Sequence, residues 1–260
     1  MRDFSQKAYI EYLKALKNTG TVFLRFDAFF GLQIKPEKFC LIRHDVDRMP
    51  QRALQMARIE NELGIVSTYY FRKKPHTFKP DIIREIASLG HEIGYHYENL
   101  SDTNGNYEKA LVDFKKNLAE FRKIIEVTTC AMHGQPLKPY DNRDLWRNDI
   151  NMKMLQTELG LLGEVYLNID YSDIAYISDT GRNWSTTRAN RRDKVDSNID
   201  TNFSSGQSLL AYFKNKPHPR ICFQIHPERW PGNMLGYAGQ LVLDRMINLA
   251  KKIVRMMSGR

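Results

Sequence analysis

A chain of 260 residues with 42% hydrophobic and 27% charged residues can bury one sizeable core, which excludes a low-complexity or disordered chain. Lysine and arginine outnumber aspartate and glutamate 39 to 30, a formal charge of +9, so an anionic partner is expected: nucleic acid, an acidic membrane surface or a phosphorylated substrate. No stretch approaches the roughly 18 uninterrupted apolar residues of a membrane span, and the charged N-terminus has no apolar secretory core, which predicts a cytoplasmic protein.

Apolar positions at helical spacing (Ala8, Tyr12, Leu13, Leu16) predict a helix from Ser5 to Asn18 that ends at Gly20. Thr21 to Gly31 is rich in Phe and reads as a peripheral strand or lid. Phe39 to Asp47 is the first core strand. Pro50 to Leu63 is a helix with proline at its start and Gly64 behind it. Val66 to Phe71, His91 to Tyr97 and Thr128 to Met132 read as further strands, and Pro80 to Leu89 and Tyr107 to Ile125 as the helices between them. An irregular polar stretch, Gly134 to Arg143, precedes a helix at Met152 to Leu159 and strands at Val165 to Ile169 and Ile174 to Ser178. Gly181 to Asn202 is a long arginine-rich loop. Ser208 to Phe213 is helical, Ile221 to His226 a last core strand, and Gly239 to Met257 a terminal helix. Strands alternating with helices predict βα units, a mostly parallel sheet and one domain over residues 1–260.

The chemistry gathers at strand ends. Along Arg43-His44-Asp45-Val46-Asp47 the strand period of two puts Asp45 and Asp47 on one face with Arg43. Two neighbouring carboxylates repel each other, and a fold keeps them where a cation neutralises the pair or one takes up a proton. His96 and Glu98, His133, and His226 close three other strands at the same, C-terminal, end. In parallel α/β folds those ends meet on one face, where active sites lie. Carboxylate and imidazole donors suit a divalent metal, zinc before others. Cys40, Cys130 and Cys222 are far apart in sequence and odd in number, which predicts buried free thiols and no Cys-rich metal site. Gly94, inside a strand pattern, marks close backbone approach or a bulge. Tyr69 and Tyr70 read as core, His91 as structural, and His76 and His218 have no role.

Arg43-His44-Asp45-Val46-Asp47, Gly90-His91-Glu92-Ile93-Gly94-Tyr95-His96, His133-Gly134-Gln135-Pro136 and Ile225-His226 resemble, in order, motifs of the polysaccharide deacetylase (NodB-homology) family of metal-dependent carbohydrate esterases and amidases. The match runs from Phe39 to Glu228, and its second motif is the most specific part. The resemblance implies a distorted, incomplete (β/α) barrel that hydrolyses an N-acetyl or related acyl group on a sugar. It implies Asp45 as general base, Asp47 and His96 as metal ligands, and His226 as general acid. Where the second motif carries another histidine, four residues after the first, this chain has Leu100. Three outcomes stay open: Glu98 replaces that ligand, His133 replaces it, or the metal is lost. His133 is preferred because imidazole replaces imidazole without adding charge. The third motif's arginine, which orients the base, is also missing, and Arg43 or Arg143 could stand in.

The loop residues Arg182 and Trp184, with Arg188, Arg191, Arg192 and Lys194, suit a rim that stacks on a sugar and grips phosphate. Glu98 and Arg143 complete the expected substrate contacts. Trp230 follows the last strand beside the site, and Glu228 is a carboxylate near enough in sequence to raise the pKa of His226. The terminal helix, with Arg245, Lys251, Lys252 and Arg255 among apolar residues, packs on the barrel or lies on an anionic membrane. The function these readings favour is a metal-dependent deacylase acting on an anionic sugar, nucleotide- or lipid-linked. The setting implied by the resemblance is assembly of bacterial surface glycan such as O-antigen. A deacetylase-like barrel that lost its metal and only binds a glycan is the alternative. A nucleic-acid-binding protein ranks last, for want of any reading motif.

Overall fold

The computed structural model describes residues 2–135, 137–184, 194–243 and 246. Its strands are β1 (Val22–Leu24), β2 (Phe39–Val46), β3 (Thr68–Phe71), β4 (Glu92–Tyr97), β5 (Thr129–Met132), β6 (Gly163–Glu164), β7 (Ala175–Ser178) and β8 (Arg220–Ile225). They form one sheet in the order β6-β5-β4-β3-β2-β8-β7, and every pairing in it is parallel. Strand β2 is central. One of its edges carries β8 from Phe39 to His44; the other carries β1 on its first three residues and β3 on its last four. Among the described residues no pairing joins β6 to β7, so this is an incomplete (β/α) barrel.

The helices are α1 (Gln6–Asn18), α2 (Phe26–Gly31), α3 (Pro50–Glu62), α4 (Pro80–Ser88), α5 (Asn99–Asp102), α6 (Tyr107–Arg122), α7 (Asp149–Thr157) and α8 (Gly206–Asn215). Their ends follow local chemistry. The Ser5 side chain accepts from the Ala8 amide to cap α1, Pro50 and Pro80 open α3 and α4, and Ser205 with Ser208 forms a capping box on α8. The Phe-rich segment after Gly20 resolves into β1 and α2, with Phe26 and Phe29 buried. The stretch Val165 to Ile169 is not a strand: only Gly163 and Glu164 pair with β5, and turns follow them. The Glu164 carboxylate accepts from the amides of Met132, Tyr166 and Leu167, which pulls the chain out of extended form. A last helix runs over 234–243; the predicted remainder, apart from 246, lies outside the described residues. Among those residues no helix is long and apolar enough to cross a membrane.

Register stacks the barrel interior in levels. Arg43, Thr68 and Glu92 are aligned across β2, β3 and β4, and Asp45, Tyr70 and Gly94 form the next level. The Tyr70 ring occupies the space a side chain at position 94 would need, with a Cβ there only 2.2 Å from Tyr70 Cε1. Tyr70 can then reach over β4 to Thr129 on β5, at 2.8 Å. Gly94 is therefore the close-approach glycine its place in the strand pattern predicts.

On the opposite face of the sheet His44 points outward into a fully buried polar cluster. Its Nε2 lies 2.6 Å from Glu60 Oε1 on α3, and its ring stacks on Tyr69 at 4.1 Å. Ser67 Oγ and Tyr69 OH donate to Glu60 Oε2 at 2.6 and 2.9 Å. Burial opposes ionisation of Glu60, but His44, His91 and Ser67 outweigh it and bring its pKa from 4.5 down to about 2. Because the folded pKa is depressed, this contribution is fully present above 4.5 and lost as pH falls towards 2. At about 1.36 kcal/mol per pH unit it is worth about 3 kcal/mol. The stability difference between wild type and Glu60→Gln is expected to shrink by about that much between about pH 5 and about pH 2, measured by urea unfolding. A difference that does not change with pH would refute the linkage.

Candidate active site

Asp47 follows directly on β2, His96 lies near the end of β4, and His133 follows β5. Asp47 Oδ1 is 3.4 Å from His96 Nε2 and 3.4 Å from His133 Nε2, and one donor atom from each residue lies within 4.8 Å of the others. The remaining ring nitrogens are held from behind: His96 Nδ1 is 2.9 Å from the Ala131 carbonyl, and His133 Nδ1 is 2.8 Å from Glu98 Oε2. Both partners accept, so each Nδ1 carries a proton and each Nε2 is the nitrogen turned to the space beside Asp47, where it would ligate an ion. Asp47 Oδ1 is buried without a hydrogen-bond partner. One carboxylate and two imidazoles converging on an orphaned buried oxygen fit a divalent ion such as zinc. Burial disfavours a charged His133, yet Asp47 and Glu98 raise its pKa to about 10, so the field here calls for a cation. Burial likewise opposes the Asp47 charge, and His133 and His96 hold that carboxyl well below the usual range.

Asp45 sits one level deeper and is 1% exposed. Its Oδ2 accepts from Arg43 Nη2 at 3.0 Å and from Gln224 Nε2 at 2.7 Å, while Oδ1 has no partner. Arg43, fully buried, lies 4.3 Å from the centroid of the Tyr166 ring and also donates to the Tyr166 hydroxyl. Burial works against the Asp45 charge, but Arg43, His96 and His226 keep its pKa below the ordinary carboxylate value. Of the two arginines expected to brace Asp45, Arg43 does so. Arg143 is instead bound to Asp141, with Nη2 to Oδ2 at 2.7 Å.

His226 follows β8, level with Asp45 across the β2–β8 register. Its Nδ1 is 2.6 Å from Asp179 Oδ1, just past β7, and its amide donates to Asp179 Oδ2 at 3.0 Å. Arg229 Nη1 donates to Asp179 Oδ1 at 2.9 Å, and Trp230 Nε1 to Oδ2 at 2.7 Å. Burial and Arg229 both press the His226 pKa down, and Asp179 more than offsets them, so it ends above its ordinary value. The carboxylate that bonds His226 is thus Asp179, not the expected Glu228. Sequence reasoning missed Asp179, whose one signal was a lone acid closing the β7 strand.

Other expectations change with the structure. Trp184 is 3% exposed, stacked on Phe4 at 4.9 Å and packed near Phe223 and Trp230, so it is core and has no face to offer a sugar. Trp230 is fully buried and bonds Asp179. The Arg182 guanidinium lies between the rings of Phe4 and Tyr237, at 5.2 and 4.7 Å. Glu98, 3% exposed, binds Arg72 and His133. Leu100 is 2% exposed in α5 and belongs to the core. The three cysteines are buried and free, as expected. Lys194 is exposed, whereas Arg188, Arg191 and Arg192, like Arg245, Lys251, Lys252 and Arg255, lie outside the described residues.

No protein-family model matches the chain, and no curated protein matches it in sequence. Solved structures do match. The chain is similar to family 4 carbohydrate esterases. One from Streptococcus mutans shares 12% identity at a TM-score of 0.47, covering 91% of this chain and 90% of its own. One from Bacillus subtilis shares 13% at 0.46, covering 90% and 83%. One from Bacillus anthracis shares 14% at 0.42, covering 92% and 86%.

Proposed function

We propose that this protein is a metal-dependent hydrolase that removes an N-acyl group from an amino sugar. The observation that carries the reading is the convergence of Asp47, His96 and His133 donor atoms within 4.8 Å, beside a buried Asp45 oxygen that nothing satisfies. These three residues would hold the ion, zinc before others. When bound, a divalent ion supplies an acidified water and a polarised carbonyl. Asp45, ionised and braced by Arg43 and Gln224, accepts the proton of the attacking water at Oδ1. His226, kept protonated by Asp179, donates from Nε2 to the leaving amine. Water attacks the acyl carbon, the C–N bond breaks, and the products are a carboxylate and a free amino sugar.

The finer substrate reading rests on charge. With a net charge of +9, an anionic conjugate is favoured. A nucleotide- or lipid-linked sugar in the cytoplasm meets that description.

Elemental analysis of protein purified without chelator tests the metal assignment. Near-stoichiometric metal is expected in wild type, and severe loss in Asp47→Ala and His96→Ala. Equal metal content in all three proteins would remove the assignment.

A further inference from the structure

The two imidazoles of the candidate metal site are supported differently. His96 lies within β4 and leans on a neutral backbone carbonyl of the next strand. His133 stands outside β5, at the start of an irregular segment in which Gln135 has φ +36°. Its amide is fixed by the Tyr97 carbonyl at 2.7 Å, and its Nδ1 is held by a side-chain partner. That partner is Glu98, a nearly buried carboxylate whose own position is set by a fork from Arg72. Arg72 Nε donates to Oε1 at 2.9 Å and Nη2 to Oε2 at 2.8 Å. Lys74 lies 3.3 Å from Oε1, and Gln135 Nε2 donates to Oε2. Both Glu98 oxygens are therefore committed away from the site, which leaves Glu98 unsuited to be a ligand itself. The same guanidinium also donates, through Nη1, to the Asp47 main-chain carbonyl at 3.3 Å.

We propose that Arg72 and Glu98 form a positioning clamp for the metal, one guanidinium bracing the backbone of Asp47 and, through the Glu98 carboxylate, the ring of His133. The inference rests on the metal reading above and assigns Glu98 a role behind the metal in place of one at the substrate. A carboxylate behind an imidazole fixes its tautomer and orientation and makes it a stronger donor than a carbonyl does. The clamp explains how a histidine on an irregular segment can serve although the position four residues after His96 is Leu100, in α5. Arg72 comes from the end of β3 and Glu98 from the end of β4, so with Asp47 after β2 and His133 after β5 the pair ties four neighbouring strand ends together.

Zinc affinity, read by competition with a chromophoric chelator on folded protein, tests this together with the visible spectrum of the cobalt-loaded protein. Glu98→Gln keeps the shape and removes the charge, and is expected to weaken zinc binding about 10–100-fold and to shift the cobalt bands. A carboxylate that served packing alone would lower the unfolding midpoint and leave both readouts unmoved. Arg72→Lys keeps the charge and removes the fork; about a tenfold loss of zinc affinity is expected, and it serves as the test if Glu98→Gln does not fold. Wild-type zinc affinity in either folded variant overturns the clamp while leaving the metal reading intact. Wild-type affinity in His133→Ala overturns it too, because the clamp acts through that ring. A wild-type protein that binds no zinc or cobalt defeats the metal reading itself and the clamp with it.

Discussion

Asp45→Asn and His226→Ala are each expected to lower turnover of an N-acetylated amino sugar by on the order of 10²–10⁴, the usual scale for groups that move protons. Bound metal is expected to stay at the wild-type level in both. The two residues flank the candidate metal site and differ in charge state for physical reasons. Arg43 at 3.0 Å and Gln224 at 2.7 Å stabilise the Asp45 carboxylate, and Asp179 at 2.6 Å stabilises the His226 imidazolium. The rate should follow a bell in pH. Its acid limb falls as Asp45 takes up a proton, below the ordinary carboxylate range because that pKa is lowered. Its alkaline limb falls as His226 loses its proton, above the ordinary histidine value because that pKa is raised. Steady-state kinetics across pH, with metal content measured on the same samples, check both statements. Wild-type turnover in either metal-loaded variant would remove that residue from the mechanism.

Asp179→Ala is expected to destabilise the fold by about 3–5 kcal/mol, the cost of breaking a buried ion pair by removing one partner. Asp179 is fully buried and accepts from Arg229, Trp230 and the His226 amide, besides meeting His226 Nδ1. Truncation removes the carboxylate that the Arg229 guanidinium, the Trp230 indole N–H and the His226 amide share, while the Asp179 main-chain carbonyl still accepts from Arg229. Asp179→Asn keeps the volume and one acceptor oxygen, so its loss of stability should be smaller. In both variants His226 loses the charge that holds its proton, so the alkaline limb of the pH profile should move down. Urea unfolding gives the stability, and a wild-type midpoint with Asp179→Ala would show that Arg229 is satisfied in another way.

Much of this arrangement was legible in the chain. The period of two along β2 placed Arg43 and Asp45 inward and His44 outward, and the structure keeps that alternation because one face packs on helices and the other on the barrel interior. Gly94 was readable as a close approach or a bulge, and the Tyr70 ring against it decides for the close approach. The expectation of His133 over Glu98 at the missing imidazole also came from chemistry at one position: Leu100 cannot ligate, and a neutral donor adds no charge. The structure sets His133 Nε2 beside Asp47 and turns Glu98 away, towards Arg72.

Long-range pairing decided the rest. Asp179 lies 47 residues before His226 in sequence, and nothing in either local pattern connects them. They meet because β7 and β8 are parallel neighbours whose C-terminal ends reach the same level. Trp184 looked like a rim aromatic because its sequence neighbours are polar, yet a second aromatic cluster formed by α1 and β8 takes it in. Arg72 and Glu98 gave no signal of acting as a pair, since each sits at the end of a different strand. Local periodicity and residue chemistry determined the strands β2 to β5, β7 and β8, which way their side chains point and that acids and histidines gather at one edge. Only the tertiary structure decided which of those groups meet, because strand order and register in a parallel sheet are set by packing across the whole core and leave no mark on any single segment.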